Sequence, residues 1–156
     1  MPESPSSPSP RLYMEDLHVG MRFSSDTHLL DEAQIISFAE QFDPQPFHLD
    51  SERAKDTFFG ELVASGWHTA AITMKLLVTG DCKLAGGLIG MGGEAQWPAP
   101  ARPGDILRVE SEVMDLVTSR TRKGRGVMMI KSETLNQRDE VVQRLTAKLM
   151  VRGKES

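Results

Sequence analysis

The segment Phe42-Asp43-Pro44-Gln45-Pro46-Phe47-His48 places a carboxylate and an imidazole five positions apart on a stretch that contains two prolines. Each proline fixes its own φ and pushes the residue before it out of the α region. A helix that ends near Phe42 and an extended Asp43 and Gln45 are therefore expected. A rigid loop that presents an acid near a base is what proton transfer requires. Asp43 and His48 are the candidate catalytic pair.

A second segment, Ser65-Gly66-Trp67, opens an apolar stretch that predicts a helix over residues 66–79. Its apolar residues occupy most of the circumference, which is typical of a buried helix. The first N–H groups of a helix have no partner within it and can bind a developing oxyanion. Gly66 is the candidate for that role, since glycine lets a carbonyl group approach the backbone closely. Ser65 fits an N-cap better than a substrate contact, and His68 is expected to satisfy a polar contact in the core.

The rest of the chain predicts helices and antiparallel strands. Asp31 followed by Gln34 is an N-cap pattern that opens an amphipathic helix, and Asp50 fits the cap of a short helical turn. Apolar and polar residues alternate in the C-terminal half, as they do in an antiparallel sheet with one buried face. The predicted strands span residues 22–30, 106–117, 126–135 and 141–151, and glycines between 86 and 93 leave a further strand-like region undefined.

Composition indicates a soluble globular protein with one domain over residues 11–156 and a disordered Pro/Ser-rich tail over residues 1–10. The net charge of −4 argues against bulk binding of nucleic acid. Cys82 is the single cysteine, so no internal disulfide or metal cluster is expected, and a reducing cytoplasm is the natural compartment. The longest apolar stretch is too short to span a membrane.

The run from Asp43 to His48 resembles the Asp-x-Asn-Pro-(aliphatic)-His signature of the MaoC-like dehydratases, the (R)-specific enoyl-CoA hydratases. Ser65-Gly66 and the downstream run from Trp97 to Asp105 also match the layout of that family. The resemblance implies an α+β hotdog fold, in which an antiparallel sheet wraps around one long buried helix. Gln45 and Phe47 depart from the usual asparagine and aliphatic residue, which affects the expected substrate preference more than the reaction type.

The resemblance further implies reversible addition of water to a trans-2-enoyl thioester of coenzyme A, giving a 3-hydroxyacyl thioester in fatty acid metabolism. No metal or redox cofactor is expected, since coenzyme A is part of the substrate. A homodimer or a higher homo-oligomer of dimers is implied. Two other functions stay open on the same fold: an acyl-CoA thioesterase and a non-catalytic acyl-CoA-binding module.

Substrate contacts are harder to assign than the catalytic pair. Trp67 and Trp97 fit core or dimer contacts, and Trp97 is also a candidate for contact with the adenine. A basic cluster between two predicted strands fits either a solvated turn or a site for the phosphates of the coenzyme. With Gln45 and Ser65, the candidate substrate-binding residues are Trp67, Trp97, Arg120, Arg122, Lys123 and Arg125.

Overall fold

The structure, a computed structural model, describes residues 11–154. The tail predicted over residues 1–10 lies outside the described residues. A 3₁₀ turn at Met14–Asp16 precedes the main elements. The helices are α1 (Glu32–Phe42), α2 (Pro46–Leu49), α3 (Ser51–Ala54) and α4 (Gly66–Thr79). The strands are β1 (Arg22–Ser24), β2 (His28–Leu29), β3 (Ile89–Gln96), β4 (Ile106–Thr118), β5 (Arg125–Leu135) and β6 (Val141–Arg152).

The strands form one antiparallel sheet in the order β1-β4-β5-β6-β3, and β2 also pairs with β4. The three long strands of the C-terminal half are joined as hairpins, with Thr118 opposite Gly126 at one end and Leu135 opposite Val141 at the other. The antiparallel sheet predicted from the alternating pattern is confirmed, and its ends lie within one residue of the predicted bounds.

Helix α4 packs with one face on this sheet. Ile72 and Leu76 join a core cluster with Leu107, Val109 and Val142 from β4 and β6. The opposite face is exposed, because within one chain the sheet covers a single side of the helix. Its exposed apolar side chains are Trp67, Ala71, Met74 and Val78. In the described single chain the helix that was predicted to be buried is thus buried on one face, and its predicted bounds are confirmed.

Two strand predictions differ from the structure. The single strand expected over residues 22–30 is two short strands, and between them the Ser25 hydroxyl accepts a hydrogen bond from the Val109 N–H at 2.8 Å. A side chain thus takes the place of a backbone partner in the ladder. Strand β3 is well formed despite its glycines. At Gly93 a Cβ would collide with the Thr146 carbonyl oxygen, so close packing of two backbones explains that glycine.

None of the helices within residues 11–154 combines the length and the apolar character that crossing a membrane requires. In the same range, no group of three or more His, Cys, Asp or Glu side chains could hold a metal ion. Cys82 is buried in the core, and burial raises the pKa of its thiol to about 11. The thiol is therefore protonated at neutral pH.

Candidate active site

The two prolines position the candidate pair through a short helix. The Asp31 side chain caps α1 by accepting from the Gln34 N–H at 2.8 Å, and α1 ends at Phe42 as expected. Gln45 is extended, with φ −101° and ψ 149°. Pro46 then starts α2, where its fixed φ fits the first helical position. His48 lies on this helix and not on an open loop.

Asp43 directly follows the end of α1, and its side chain faces that of His48 on α2. The Oδ2 atom of Asp43 lies 3.3 Å from Nε2 of His48, and both side chains are largely withdrawn from solvent. On the other side of the ring, Nδ1 lies 2.7 Å from the Val63 carbonyl oxygen. A carbonyl oxygen can only accept, so Nδ1 carries the hydrogen and donates. In the neutral ring, Nε2 is therefore the atom that can take up a proton next to Asp43.

Two further side chains hold the Asp43 carboxylate. The Ser65 hydroxyl donates to Oδ2 at 2.7 Å, and the Gln45 amide donates to Oδ1 at 2.6 Å. Partial burial raises the pKa of Asp43, but these hydrogen bonds and the charge of His48 outweigh it, so the pKa lies below its ordinary value. Asp43 is thus ionised at neutral pH. Gln45 and Ser65, which were predicted as substrate contacts, both donate a hydrogen bond to the catalytic candidate Asp43.

Gly66 begins α4 beside this pair. Ser65 caps the helix, since its hydroxyl also accepts from the Trp67 N–H at 3.3 Å. Among the described residues, no group accepts a hydrogen bond from the Gly66 N–H. An unpaired amide at the first position of a 14-residue helix carries the positive end of the helix dipole.

A cavity of about 390 Å³ opens at His48 and Gly66. Phe58 and Phe59 are exposed and form its rim, whereas its floor consists of side chains withdrawn from solvent. The floor residues are Val63, Ala64, Thr69, Ala101 and Val142. In the described part of the chain, His48 is the one ionisable side chain that lines the cavity. The cavity suits an apolar group.

The two tryptophans lie in different environments. Trp97 lines the cavity, and its indole donates from Nε1 to the Gln143 side-chain oxygen at 2.9 Å. Trp67 stands edge-on to Trp97, with ring centroids 5.4 Å apart, but it is 65% exposed and outside the cavity wall. Of the two predicted contacts, the structure brings only Trp97 to the cavity. Sequence reasoning missed Gln143, Phe58 and Phe59.

The basic cluster lies at the other end of the sheet. Arg120, Arg122, Lys123 and Arg125 surround the turn between β4 and β5, next to the pair Thr118–Gly126. Gln143, which contacts Trp97, pairs with Thr134. Eight residues of strand separate Gly126 from Thr134, which is roughly 27 Å at 3.4 Å per residue. Within one subunit the structure does not bring the cluster to the cavity.

His68 differs from its expected role in the core. Its side chain is nearly buried and stacks on Phe38, with ring centroids 4.6 Å apart. The predicted polar contact is wrong for Nδ1, which is buried with no hydrogen-bond partner among the described residues. Burial, together with the nearby His28, lowers the pKa of His68 to about 4. The ring is therefore neutral at neutral pH and packs as an aromatic side chain.

The chain is similar to known proteins over most of its length. The family model described as MaoC like domain matches residues 18–136. A 3-hydroxybutyryl-CoA dehydratase of Methylorubrum extorquens is 35% identical over 117 residues, which are 71% of this chain and 69% of that protein.

Solved structures extend the likeness to the fold. The crystal structure of a MaoC-like dehydratase from Rhodospirillum rubrum superposes with a TM-score of 0.91 at 54% identity, covering 93% of this chain and 99% of that one. Unliganded R-hydratase PhaJ1 from Pseudomonas aeruginosa superposes with a TM-score of 0.72 at 27% identity, covering 92% and 88%. The hotdog fold implied by the sequence is thus confirmed. The chain belongs to the MaoC-like dehydratase family.

Proposed function

We propose that this protein catalyses the reversible addition of water to a trans-2-enoyl thioester of coenzyme A, giving a 3-hydroxyacyl thioester. The observation that carries the proposal is the Asp43–His48 pair, with 3.3 Å between Oδ2 and Nε2, next to an apolar cavity lined by Gly66 with its unpaired amide. Similarity to a relative named for 3-hydroxybutyryl-CoA supports the substrate class.

Asp43 and His48 would activate the water together. One water can donate one hydrogen to Oδ2 of Asp43 and the other to Nε2 of His48, which leaves an oxygen lone pair to attack C3. Whichever of Asp43 and His48 takes up the proton of the water then donates it to C2. The hydroxyl goes to C3 and the hydrogen to C2, so the atoms of one water are added without any oxidation or reduction. The proposed step needs no metal or redox cofactor.

Gly66 would stabilise the charge that develops during the attack. As water adds to C3, negative charge moves to the thioester oxygen, and the Gly66 N–H is placed at a helix N-terminus that favours such charge. Ser65 couples the two parts of the site, because it caps α4 and also donates to Asp43. It fixes the carboxylate with respect to the start of the helix.

The cavity constrains the acyl group. Its lining is mostly aliphatic and aromatic, with no acidic or basic side chain other than His48 among the described residues. A free carboxylate or an ammonium group on the acyl chain would lose its hydration there without gaining a partner, which costs roughly several kcal/mol. We therefore propose an uncharged acyl chain. A cytoplasmic location fits a single buried thiol and a coenzyme A substrate.

The test is a direct assay with purified protein. Crotonyl-CoA should lose its enoyl absorbance as water adds, and the product should be a 3-hydroxyacyl-CoA by mass spectrometry. A thiol reagent in a parallel reaction measures free coenzyme A and should detect none. Release of thiol without loss of the double bond would instead show a thioesterase. Binding without turnover of any enoyl-CoA would show a non-catalytic module.

We also propose that the protein works as a homodimer. In the described chain β3 pairs on one side with β6, and its other edge is open; all of its residues are exposed except Ala95, which is half-buried. A long open edge is a template for pairing with another strand. The exposed face of α4, with Trp67, Met74 and Val78, adds an apolar surface that a second copy would cover.

The dimer is tested by replacing Met91 on β3 with Lys. Met91 is 56% exposed, and a charge in a buried edge-to-edge interface should weaken association by roughly tenfold or more, about 1.4 kcal/mol. Met114, 44% exposed on the interior strand β4, is the matched control for Met→Lys. Sedimentation should give twice the 17.3 kDa chain mass for the wild type. A monomeric wild type, or equal association of both variants, contradicts the proposal.

A further inference from the structure

Trp97 packs directly against the start of α4. A Cβ built at Gly66 would lie 2.7 Å from Cε2 of the indole and 2.9 Å from Cδ2. The ring therefore covers the Cα of the residue whose amide is unpaired, and it also lines the cavity. Whatever binds at that amide has the indole as a neighbouring wall.

A chain of buried polar side chains holds the indole in place. Gln143 is fully buried, accepts from Nε1 of Trp97 at 2.9 Å and donates to the Thr73 hydroxyl at 3.1 Å. Thr73 donates to the Thr69 carbonyl at 2.8 Å and lies 2.6 Å from the Thr134 hydroxyl. Because the single hydrogen of Thr73 goes to Thr69, Thr134 donates to Thr73, and the hydroxyl of Thr73 is fully used.

This chain makes rotation of the indole costly. Gln143 and the two threonines are each 0% exposed, so no solvent can replace a lost partner. If the indole turned away, the Gln143 oxygen would be left buried and unpaired at a cost of about 1–3 kcal/mol. The buried network runs from α4 through β6 to the wall of the cavity, where it ends at Trp97. It makes the indole a fixed wall and not an adaptable one.

We propose that Trp97 limits the substrate to short, unbranched acyl chains, and that Gln143 is the residue that positions it. This inference rests on the proposed hydration of enoyl thioesters. An acyl group whose carbonyl oxygen binds at Gly66 lies beside the indole from its first carbons onward. Val63, Ala101 and Val142 close the floor of the cavity and are each at most 3% exposed. Longer or branched chains meet the fixed indole at the side and packed core below.

The decisive variant removes both partners of the hydrogen bond together. In Trp97→Leu with Gln143→Met, the cavity gains the space of the indole and no buried amide is left unpaired, so folding is retained. The wild type should prefer crotonyl-CoA to oct-2-enoyl-CoA in kcat/KM. The double variant should shift that ratio toward the longer substrate by at least about tenfold, the scale of discrimination for one methylene in an apolar pocket.

Gln143→Met alone tests the positioning role. It should raise KM more than it lowers kcat and relax chain-length selectivity. It should also move the Nε1–H resonance of Trp97 in an NMR spectrum, which a loss of general stability would not do. Gln41→Met is the matched control, because Gln41 is exposed and its amide bonds only the Ser37 carbonyl of its own helix among the described residues. That variant should leave selectivity and both indole resonances unchanged.

Calorimetric binding of butyryl-CoA and octanoyl-CoA, which cannot be hydrated, separates this inference from the proposed function. If the wild type prefers butyryl-CoA and the double variant does not, Trp97 limits the length of the acyl chain, even if no enoyl-CoA is turned over. Equal binding of the two ligands by the wild type overturns it, as does an unchanged preference in the double variant. Hydration with unchanged selectivity in all variants would leave the proposed function standing and remove Trp97 as its determinant.

Discussion

Replacing Asp43 with Asn should lower kcat for the hydration of crotonyl-CoA by roughly 10²–10⁴-fold, because a positioned acid–base group contributes that much. The substitution keeps the size of the side chain. The Ser65 hydroxyl, which donates to Oδ2 at 2.7 Å, can accept from an amide instead, so the local structure should persist. The hydration rate and the thermal unfolding midpoint are measured together, and only the rate should fall.

His48→Gln is tested in the same way, by the hydration rate and the thermal unfolding midpoint. The Gln amide can still donate to the Val63 carbonyl, as Nδ1 does at 2.7 Å, but it cannot take up a proton. Because Asp43 and His48 would act on one water, the loss in the double variant should be close to that of the worse single variant and not the product of both. Asp56→Asn, an exposed position in the segment before α4, is the matched control for charge removal. Full hydration by both single variants would exclude the pair from the chemistry.

Capping residues and the local pattern of apolar residues were sufficient to predict most of the helices and strands. Asp31 and Asp50 cap helices as expected, since the carboxylate of an extended N-cap residue can accept from the next free amides of the helix. The bounds of α4 follow from Ser65 at one end and Gly80 at the other. The short helix α2 was not predicted, because Pro46 both interrupts the preceding pattern and serves as a first helical residue.

Tertiary packing explains what the sequence pattern missed. Gln143 occupies the same face of β6 as Leu145 and Leu149, so the alternation of side chains along a strand directs it into the core. A polar residue at an apolar position was the available signal, but its partners Thr73 and Trp97 are distant in sequence. One face of α4 is exposed because the sheet covers only the other face. The sequence of α4 alone does not show how many of its faces the sheet covers. The Gln45 contact with Asp43 depends on the turn that Pro46 begins.

Replacing Gly66 with Ala should destabilise the protein, although helix propensity alone predicts the opposite. Inside a helix, the higher helix propensity of Ala stabilises the protein by at most about 1 kcal/mol relative to Gly. The new Cβ would lie 2.7 Å from Cε2 of Trp97, and the hydrogen bond to Gln143 keeps the indole from moving aside. Overpacking of this kind costs about 1–3 kcal/mol. The clash therefore outweighs the gain in helix propensity, and a net loss of about 1 kcal/mol should lower the unfolding midpoint by about 2–4 °C.

The Gly66 effect is assigned to the indole by a double-mutant cycle with Trp97→Leu. If the clash is the cause, the double variant should be less destabilised than the sum of the two single variants, by about 1–3 kcal/mol in denaturant unfolding. Gly90→Ala is the matched control, since its Cβ would meet nothing within 4 Å, and it should change stability by less than about 0.5 kcal/mol. Strict additivity of Gly66→Ala and Trp97→Leu would show that the indole does not restrict this position. In that case the wall beside the amide would have to be built from other side chains.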